Sequence, residues 1–272
     1  MIHAPLHLRT IHIPQPTDFH RGYPFSLPLM QSIGTLELRA PVTYFVGENG
    51  SGKSTLMEAI ACAVGATTVG SASVTTDPTL THARKLGKTM KLSWSKRTQR
   101  GFFLRAEDYF GFVKQVEATK AELEEEMRRV DREYENRSDY AKGFAKMPFA
   151  RELHDIREKY GEGLDTQSHG ESFLALFQAR FVPNGLYLLD EPEAALSPLR
   201  QIGFLSLLKE MVETHNAQFI IATHAPILMA YPGAEILDFN QHPPQPTSYK
   251  ALEHVSLTRD FLNHPERYLR YL

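Results

Sequence analysis

The sequence is almost without cysteine, since Cys62 is the only one among 272 residues. A single thiol can form neither an internal disulfide nor a zinc site built from several cysteines, and it is typical of a reducing compartment. Long apolar runs are also missing: the longest candidate, FIIATHAPILMAY, is interrupted by His224 and Pro226 and is shorter than the about 20 residues that span a bilayer. The start, MIHAPLHLRTIHIP, has no basic region followed by an apolar run, so no signal peptide is predicted. We therefore expect a cytoplasmic protein without direct membrane insertion.

The sequence has no large excess of one charge either. Thirty Lys and Arg oppose 32 Asp and Glu, giving a formal charge of −2. No global field therefore favours nucleic acid or an anionic membrane, although a local basic patch stays open. Hydrophobic residues make up 42% of the chain, which is enough for a sizeable core. We expect one domain over residues 1–272, with an insertion at about 112–160.

The insertion is distinguished by its high charge. In VKQVEATKAELEEEMRRVDREYENRSDY, the residues Leu123, Met127, Val130 and Tyr134 follow a four-three-four spacing. This spacing predicts a solvated helix with one narrow apolar seam. Two interpretations remain open: a helical hairpin packed on the domain, or an arm that binds a partner or dimerises.

The remaining chain alternates between short apolar segments and amphipathic ones. Strands are predicted for LRTIHI, IGTLELRA, APVTYFVG, KLSWS, GFFLRAEDYF, GLYLLD and AQFIIATH, and helices for LMEAIACAVGA, SHGESFLALFQARF and LSPLRQIGFLSLLKEMVETH. Residues 65 to 90 are rich in Gly, Ser and Thr, and most of this segment is expected to be loop. Buried strands that alternate with helices predict a three-layer α/β core.

The stretch GENGSGKST fits the phosphate-binding pattern G-x-x-x-x-G-K-[ST], between a predicted strand and a predicted helix. Glycines let consecutive backbone N–H groups surround phosphate oxygens, and the following helix adds its positive N-terminus. Lys53 is expected to reach the β and γ phosphates of ATP, and Ser54 to supply a hydroxyl to Mg²⁺. The predicted nucleotide-binding residues of this P-loop are Gly47, Glu48, Asn49, Gly50, Ser51, Gly52, Lys53, Ser54 and Thr55.

Two further strands end in side chains that suit a P-loop. The apolar run GLYLLD ends in Asp190, which is expected to hold Mg²⁺, and Glu191 follows it as the predicted base for a water molecule. The strand AQFIIATH ends in His224, which is expected to hydrogen-bond the γ-phosphate. These residues predict a Mg²⁺-dependent ATPase with Lys53, Glu191 and His224 as its catalytic residues.

The order of these motifs resembles the ATP-binding-cassette class of ATPases, including its soluble recombination, repair and chromosome-maintenance members. It is most similar to small bacterial ATPases that consist of little more than this domain. The matching segments run from YPFSLP (23 to 28) through GENGSGKST, GFFLRAE, SHGESFLALF, LLDEPEAALSP and IIATHAPIL to FLNHPE. The resemblance implies a P-loop NTPase fold of the ABC-ATPase type, with a short helical insertion.

The resemblance also assigns a role to SHGES, residues 168 to 172. In this class a signature that contains Ser and Gly begins a helix and completes the ATP site of the opposite subunit. Ser168 and the backbone of Gly170 are thus expected to hydrogen-bond the γ-phosphate across a homodimer. Ser168 with Glu171 three residues later also matches a helix cap, which is compatible with that role because the same geometry presents an anion site.

The sequence departs from the class at several positions. The signature carries His169 and Glu171 in place of the Gly and Gln usual in transporter ATPases, and Ser197 stands where an Asp often contacts the opposite subunit. The Gln that senses the γ-phosphate is not evident. Gln99 lies near its place in the sequence, and the alignment leaves Arg105 or Glu107 as substitutes. Tyr23 precedes the P-loop and is expected either to stack on adenine or to be an ordinary core aromatic.

The favoured interpretation is an ATPase dimer that closes around two ATP molecules and opens on hydrolysis. Its motion is expected to serve DNA repair or recombination, or phage defence, with DNA and an unidentified protein as candidate partners. The ATP-binding subunit of a membrane transporter is the alternative, and a regulatory module that binds ATP with negligible turnover is a third.

Overall fold

The computed structural model describes residues 6–14, 22–70, 73–160 and 169–270. The strands in these ranges are β1 (Leu8–His12), β2 (Thr35–Glu37), β3 (Val42–Val46), β4 (Thr67–Thr68), β5 (Lys91–Trp94), β6 (Phe102–Arg105), β7 (Leu186–Asp190), β8 (Gln218–Ala222), β9 (Glu235–Asp238) and β10 (Gln245–Thr247). The helices are α1 (Pro28–Ser32), α2 (Lys53–Val64), α3 (Thr81–Thr89), α4 (Ala106–Glu133), α5 (Asp139–Tyr160), α6 (His169–Arg180), α7 (Pro198–His215), α8 (Pro226–Met229), α9 (Glu253–Asn263) and α10 (Pro265–Leu269). Short 3-10 helices span Pro78–Leu80, Pro192–Ala195 and Tyr249–Ala251.

A seven-stranded sheet forms the centre of the described structure. Its strand order is β10-β9-β3-β8-β7-β6-β4, and every neighbouring pair is parallel except β10 with β9. A second sheet, with the antiparallel order β2-β1-β5, flanks it. Parallel neighbours need long crossover connections, and the helices between the strands provide them.

The central strands are buried on both faces, as their apolar runs predict. Every residue of β3, β7 and β8 is buried. Alternate residues of β7 face opposite layers: Tyr187 packs in one cluster with Phe177 of α6, and Leu188 packs in the other with Ile60 of α2. The expected three-layer α/β fold with a parallel sheet is confirmed.

The charged insertion forms a pair of long helices, α4 and α5, which pack against each other. Leu123 and Val130 of the apolar seam are buried, and so is Leu153 of α5. Asp131 of α4 forms an ion pair with Lys142 of α5 at 2.8 Å. The helices thus form a hairpin, the first of the two interpretations, whereas binding of a partner by this hairpin stays a prediction.

Two of the secondary-structure predictions made from the sequence are wrong. The segment expected to be mostly loop contains α3, whose Ala83, Leu86 and Gly87 pack at helical spacing beneath α2. The strand expected over GFFLRAEDYF ends at Arg105, and α4 begins at Ala106. Acidic residues in the first turn favour a helix there because they interact with its positive end.

Among the described residues, no helix combines the length and the apolar character needed to cross a membrane.

Candidate functional site

The sheet order brings the three chemically distinctive strand ends to one edge. β8 lies between β3 and β7 and pairs in parallel with both. The P-loop follows β3, Asp190 ends β7, and His224 stands just beyond β8. Carboxyl ends of neighbouring parallel strands are the usual location of ligand sites in such sheets. The predicted site residues therefore converge, although they are far apart in the chain.

The P-loop surrounds the ammonium group of Lys53. This residue begins α2, is only 4% exposed, and its Nζ donates to the carbonyl oxygens of Gly47 (2.7 Å) and Glu48 (2.9 Å). Burial lowers the pKa of Lys53, while the negative charges of Asp190 and Glu191 oppose that shift. The loop thus holds a cation beside the first turn of a helix, an arrangement that suits phosphate oxygens.

Glycine is required at the last loop position. Gly52 has φ +93°, which side chains rarely adopt, and a Cβ there would lie 2.9 Å from Leu29 Cδ2. The other end of the loop is fixed by Asn240, whose Oδ1 accepts from the backbone N–H of Glu48 at 2.7 Å. No local sequence signal points to Asn240, because it follows β9, 192 positions away from Glu48.

The environment of the Asp190 carboxylate is typical of a group that binds a cation. It is 7% exposed, it accepts a hydrogen bond from the Ser54 hydroxyl, and its buried Oδ1 has no partner among the described residues. Burial raises the pKa of Asp190 to about 7, and the nearby Glu191 adds to the shift. An unsatisfied buried oxygen beside a hydroxyl fits Mg²⁺, which prefers oxygen ligands.

Protein side chains alone do not enclose a metal ion in the part of the chain that the structure describes. No group of three or more His, Cys, Asp or Glu residues is arranged to hold one there. Mg²⁺ often takes only one or two protein ligands and completes its shell with phosphate oxygens and water. Ser54 and Asp190 are therefore the residues that could hold it together with a nucleotide.

Glu191 adopts a left-handed backbone conformation, φ +52° and ψ +50°, which is uncommon for a residue with a side chain. Its Oε1 lies 3.9 Å from Nε2 of His224. Such strained residues cluster at functional sites, because the surrounding structure must hold them. Glu191 also lines a cavity of about 300 Å³ with the P-loop residues Asn49, Gly50, Gly52, Lys53, Ser54 and Thr55.

A second glutamate, which the sequence did not single out, positions the histidine. Glu193 Oε1 accepts from the backbone N–H of His224 at 2.7 Å, and burial raises the pKa of Glu193. The imidazole Nε2 of His224 is buried without a hydrogen-bond partner among the described residues. Burial, and then the charge of Lys53, lower the pKa of His224, so the neutral ring is favoured. The sequence signal that could have identified Glu193 is its position two residues after Glu191.

Tyr23 lies at this site and is not a core residue. It is 51% exposed, lines the same cavity, and its hydroxyl lies 3.0 Å from the Thr55 hydroxyl. Its ring meets His82 edge to face at 5.1 Å. The structure thus removes the core-aromatic interpretation, and stacking on adenine stays a prediction.

The candidates for the γ-phosphate sensor are not placed to act as one. Gln99 precedes β6 and lines a cavity at the amino ends of the strands, opposite the P-loop. Arg105 pairs in register with Asp190, but its buried guanidinium binds Asp108 at 2.8 and 2.9 Å. Glu107 is exposed and lies 3.2 Å from the same guanidinium. Because carboxylates already neutralise Arg105, it offers no free charge to a phosphate.

The signature segment is only partly described. Ser168 lies outside the described residues, and α6 begins at His169 with Gly170 in its first turn. The sequence predicts a helix that starts at this position. The contact with a second subunit stays a prediction.

Part of the chain matches a known protein family. Residues 31–162, just under half of the chain, match the model of the family described as AAA domain. The matched segment contains the P-loop, its helix α2 and the α4–α5 hairpin, whereas Asp190 of β7 and His224 after β8 lie beyond it. The P-loop after β3 and the largely parallel sheet agree with the expected P-loop NTPase fold.

Solved structures show only distant likeness to this chain. The cbiO1 protein from Clostridium perfringens, part of the ABC transporter complex cbiONQ, is 13% identical, with 98% of this chain and 100% of that chain covered and a TM-score of 0.46. An SMC head domain from Thermotoga maritima is 15% identical, with coverage of 89% and 100% and a TM-score of 0.43. An SMC head bound to the C-terminal winged-helix domain of ScpA is 15% identical, with coverage of 91% and 100% and a TM-score of 0.46. No curated protein sequence matches the chain.

Proposed function

We propose that this protein is a Mg²⁺-dependent ATPase that works as a homodimer closed around two ATP molecules. One observation carries the proposal: Lys53, Asp190, Glu191 and His224 meet at the carboxyl edge of β3, β7 and β8. This set contains a phosphate-binding cation, a metal-holding carboxylate, a base and a hydrogen-bond donor. These are the parts that phosphoryl transfer to water requires.

ATP binding is assigned to the P-loop and the cavity beside it. The backbone N–H groups from Glu48 to Thr55 would surround the phosphates, and the Lys53 ammonium would exchange its carbonyl contacts for phosphate oxygens. Tyr23 stands at the cavity wall, where its ring can contact the base. In this proposal, residues of a single subunit bind the ATP molecule from its base to its γ-phosphate.

Ser54 and Asp190 would hold Mg²⁺. The ion, when bound, neutralises the charge that develops on the phosphate oxygens. The unpartnered Oδ1 of Asp190 supports this role, because a cation satisfies it and keeps the carboxylate ionised.

Glu191 is assigned the role of general base. It would accept a proton from a water molecule as the water oxygen attacks the γ-phosphorus and the bond to ADP breaks. The half-exposed Glu191 side chain can be reached by that water, whereas Glu193 is partly buried and one of its carboxylate oxygens accepts from the His224 backbone N–H. His224, held neutral by its surroundings, would donate from one ring nitrogen to a γ-phosphate oxygen.

The opposite subunit completes the site in this proposal. The partner subunit's Ser168 and the backbone N–H of its Gly170 would bind the γ-phosphate, with the N-terminus of α6 behind them. ATP would then close the dimer and hydrolysis would open it. We assign this cycle to DNA repair or recombination, or to phage defence, in the cytoplasm, because the sequence resembles soluble members of the class and lacks the transporter type of signature.

The test separates binding from hydrolysis. The Glu191→Gln variant should bind Mg-ATP with unchanged affinity, accumulate as a dimer in light scattering, and lose about 10² to 10⁴ in rate, as expected for loss of a general base. Glu210→Gln, the same change on the exposed surface of α7, is the matched control and should hydrolyse normally. A Glu191→Gln variant that stays monomeric and hydrolyses at the normal rate contradicts the proposal.

The assignment to DNA is tested separately, through the ATPase rate with single-stranded and duplex DNA at low and moderate salt. Stimulation that fades with salt is expected, since salt weakens phosphate contacts. An unchanged rate at both salt concentrations removes the DNA assignment and leaves the ATPase assignment intact.

A further inference from the structure

Helix α5 has an apolar face that the described part of the chain leaves exposed. Tyr140 is 83% exposed, Phe144 is 65% exposed and Met147 is 55% exposed. The other face of α5 packs on α4, where Leu153 is buried. A solvated helix normally has polar residues on its outer face, and clustered large apolar side chains on a surface mark an interaction site.

The spacing of these residues is typical of helix packing. Together with the exposed Arg151 they recur at intervals of four, three and four residues, so they lie along one side of the helix. The seam of α4 has the same intervals, and α5 packs against it. The outer seam of α5 consists of Tyr140, Phe144, Met147 and Arg151. Its pattern fits a further helix as the partner.

The outer seam is complementary to itself in the antiparallel orientation. Residues 140 and 151 are equally far from the point midway between residues 145 and 146, and so are residues 144 and 147. Two copies of α5 that pair about this point would place Tyr140 against the partner's Arg151, and Phe144 against the partner's Met147. A guanidinium over a tyrosine ring and a sulfur beside a phenyl ring are both favourable contacts.

The area of the outer seam suits a weak dimer. A large side chain buries on the order of 200 Å², so the exposed fractions of Tyr140, Phe144 and Met147 correspond to roughly 400 Å² on each copy. With Arg151 included, the pair would bury somewhat less than about 1,200 Å² in total, which is the size of weak and transient interfaces.

The charges beside the outer seam favour a second copy over nucleic acid. Single-stranded nucleic acid binds where aromatic rings stand beside free cations. Lys142 and Lys146 of α5 form ion pairs with Asp131 of α4 instead. The surface around the aromatic rings is therefore mainly apolar.

We propose that the outer seam binds the same seam of a second copy, so that two hairpins form an antiparallel contact that does not require ATP. This interface goes beyond the ATP-dependent dimer proposed above. Helix α4 follows β6 directly and has 28 residues, so its far end lies roughly 42 Å along the helix from the sheet. The outer seam begins at that far end, because α5 starts at Asp139. Substitutions in the seam therefore leave the ATP site intact.

The test measures the oligomeric state of the full chain with Lys53→Ala and without nucleotide, so that the ATP-dependent dimer cannot form. Sedimentation velocity should show an equilibrium between monomer and dimer that depends on protein concentration. Phe144→Glu should weaken this dimer at least about tenfold, because each substitution acts twice in a symmetric interface. Circular dichroism checks that the variants are folded.

An exchange of charge tests the antiparallel pairing. Tyr140→Lys places a cation against the partner's Arg151 and should weaken the dimer at least about tenfold. Adding Arg151→Glu to Tyr140→Lys should restore the dimer, because opposite charges then face each other. Positions 140 and 151 are roughly 16 Å apart along one helix, so the new charges cannot pair within one chain. Ala150→Lys adds the same charge to an exposed position of α5 outside the seam and should leave the dimer unchanged.

Three results would overturn the proposal: a chain that stays monomeric at all accessible concentrations, equal effects of Tyr140→Lys and Ala150→Lys, or a charge exchange that does not restore the dimer. A monomeric chain whose binding of single-stranded DNA is lost in Phe144→Ala and strengthened in Tyr140→Lys would assign the seam to nucleic acid. Tyr140→Lys in the otherwise unchanged protein should hydrolyse ATP normally, so failure here is distinguishable from failure of the ATPase assignment.

Discussion

Replacement of Asp190 by Asn tests the carboxylate proposed to hold Mg²⁺ through the stability of the protein itself. The folded structure buries this carboxylate and raises its pKa from 3.8 to about 7. Below about pH 4 the group is protonated in both the folded and the unfolded chain. Between about pH 4 and 7 the folded chain keeps the proton and the unfolded chain releases it, so the free energy of unfolding falls as pH rises.

The size of this effect follows from the shift of about three units between 3.8 and about 7. At about 1.4 kcal/mol per unit, the ionised carboxylate destabilises the folded protein by at most about 4 kcal/mol above pH 7. An amide of nearly the same shape carries no charge and avoids this cost. Asp190→Asn should therefore raise the melting temperature at pH 8 by on the order of 10 °C and by much less at pH 4.5.

The assay is thermal unfolding with EDTA and no nucleotide, from pH 4.5 to 8. Asp155→Asn, the same change at an exposed position of α5, is the control and should not alter the pH dependence. Mg-ATP should then stabilise the original protein more than Asp190→Asn, because the carboxylate that holds the ion is lost. A melting-temperature difference that is equal at both pH values, or an Asn variant that is less stable at pH 8, refutes the reasoning.

Two further predictions concern the ATP site. Lys53→Ala should lower the affinity for Mg-ATP by at least about 100-fold, because the loop loses its cation for the β and γ phosphates; tight binding in calorimetry would contradict the P-loop assignment. Ser168→Arg should keep ATP binding to the single subunit yet block dimerisation and hydrolysis. Mixing it with Lys53→Ala should restore partial activity, since one intact P-loop then meets one intact signature. A mixture that stays inactive while both chains are folded by circular dichroism rules out the shared site.

The helices and strands near the P-loop were predictable because their signals are local. GENGSGKST follows β3 and runs into α2, which begins at Lys53, as its pattern requires, and the apolar runs of β7 and β8 are buried throughout. The missed helix α3 shows the limit of such signals. Its Gly87 packs against α2, where a Cβ would lie 2.7 Å from the Ala59 carbonyl oxygen. A glycine that favours a loop in the sequence is thus required by close helix packing.

The sequence by itself determined the chemical inventory of the site: the P-loop, the carboxylates at Asp190 and Glu191, and the histidine at position 224. The tertiary structure alone decided how these parts are supported. Asn240 fixes the loop at Glu48, and Glu193 fixes the backbone of His224. It also decided that carboxylates surround Arg105. The physical reason is the distance along the chain over which each signal acts. Periodicity and motif spacing report neighbours along the chain. Burial and the pairing of buried polar groups depend on residues that only the folded sheet brings together.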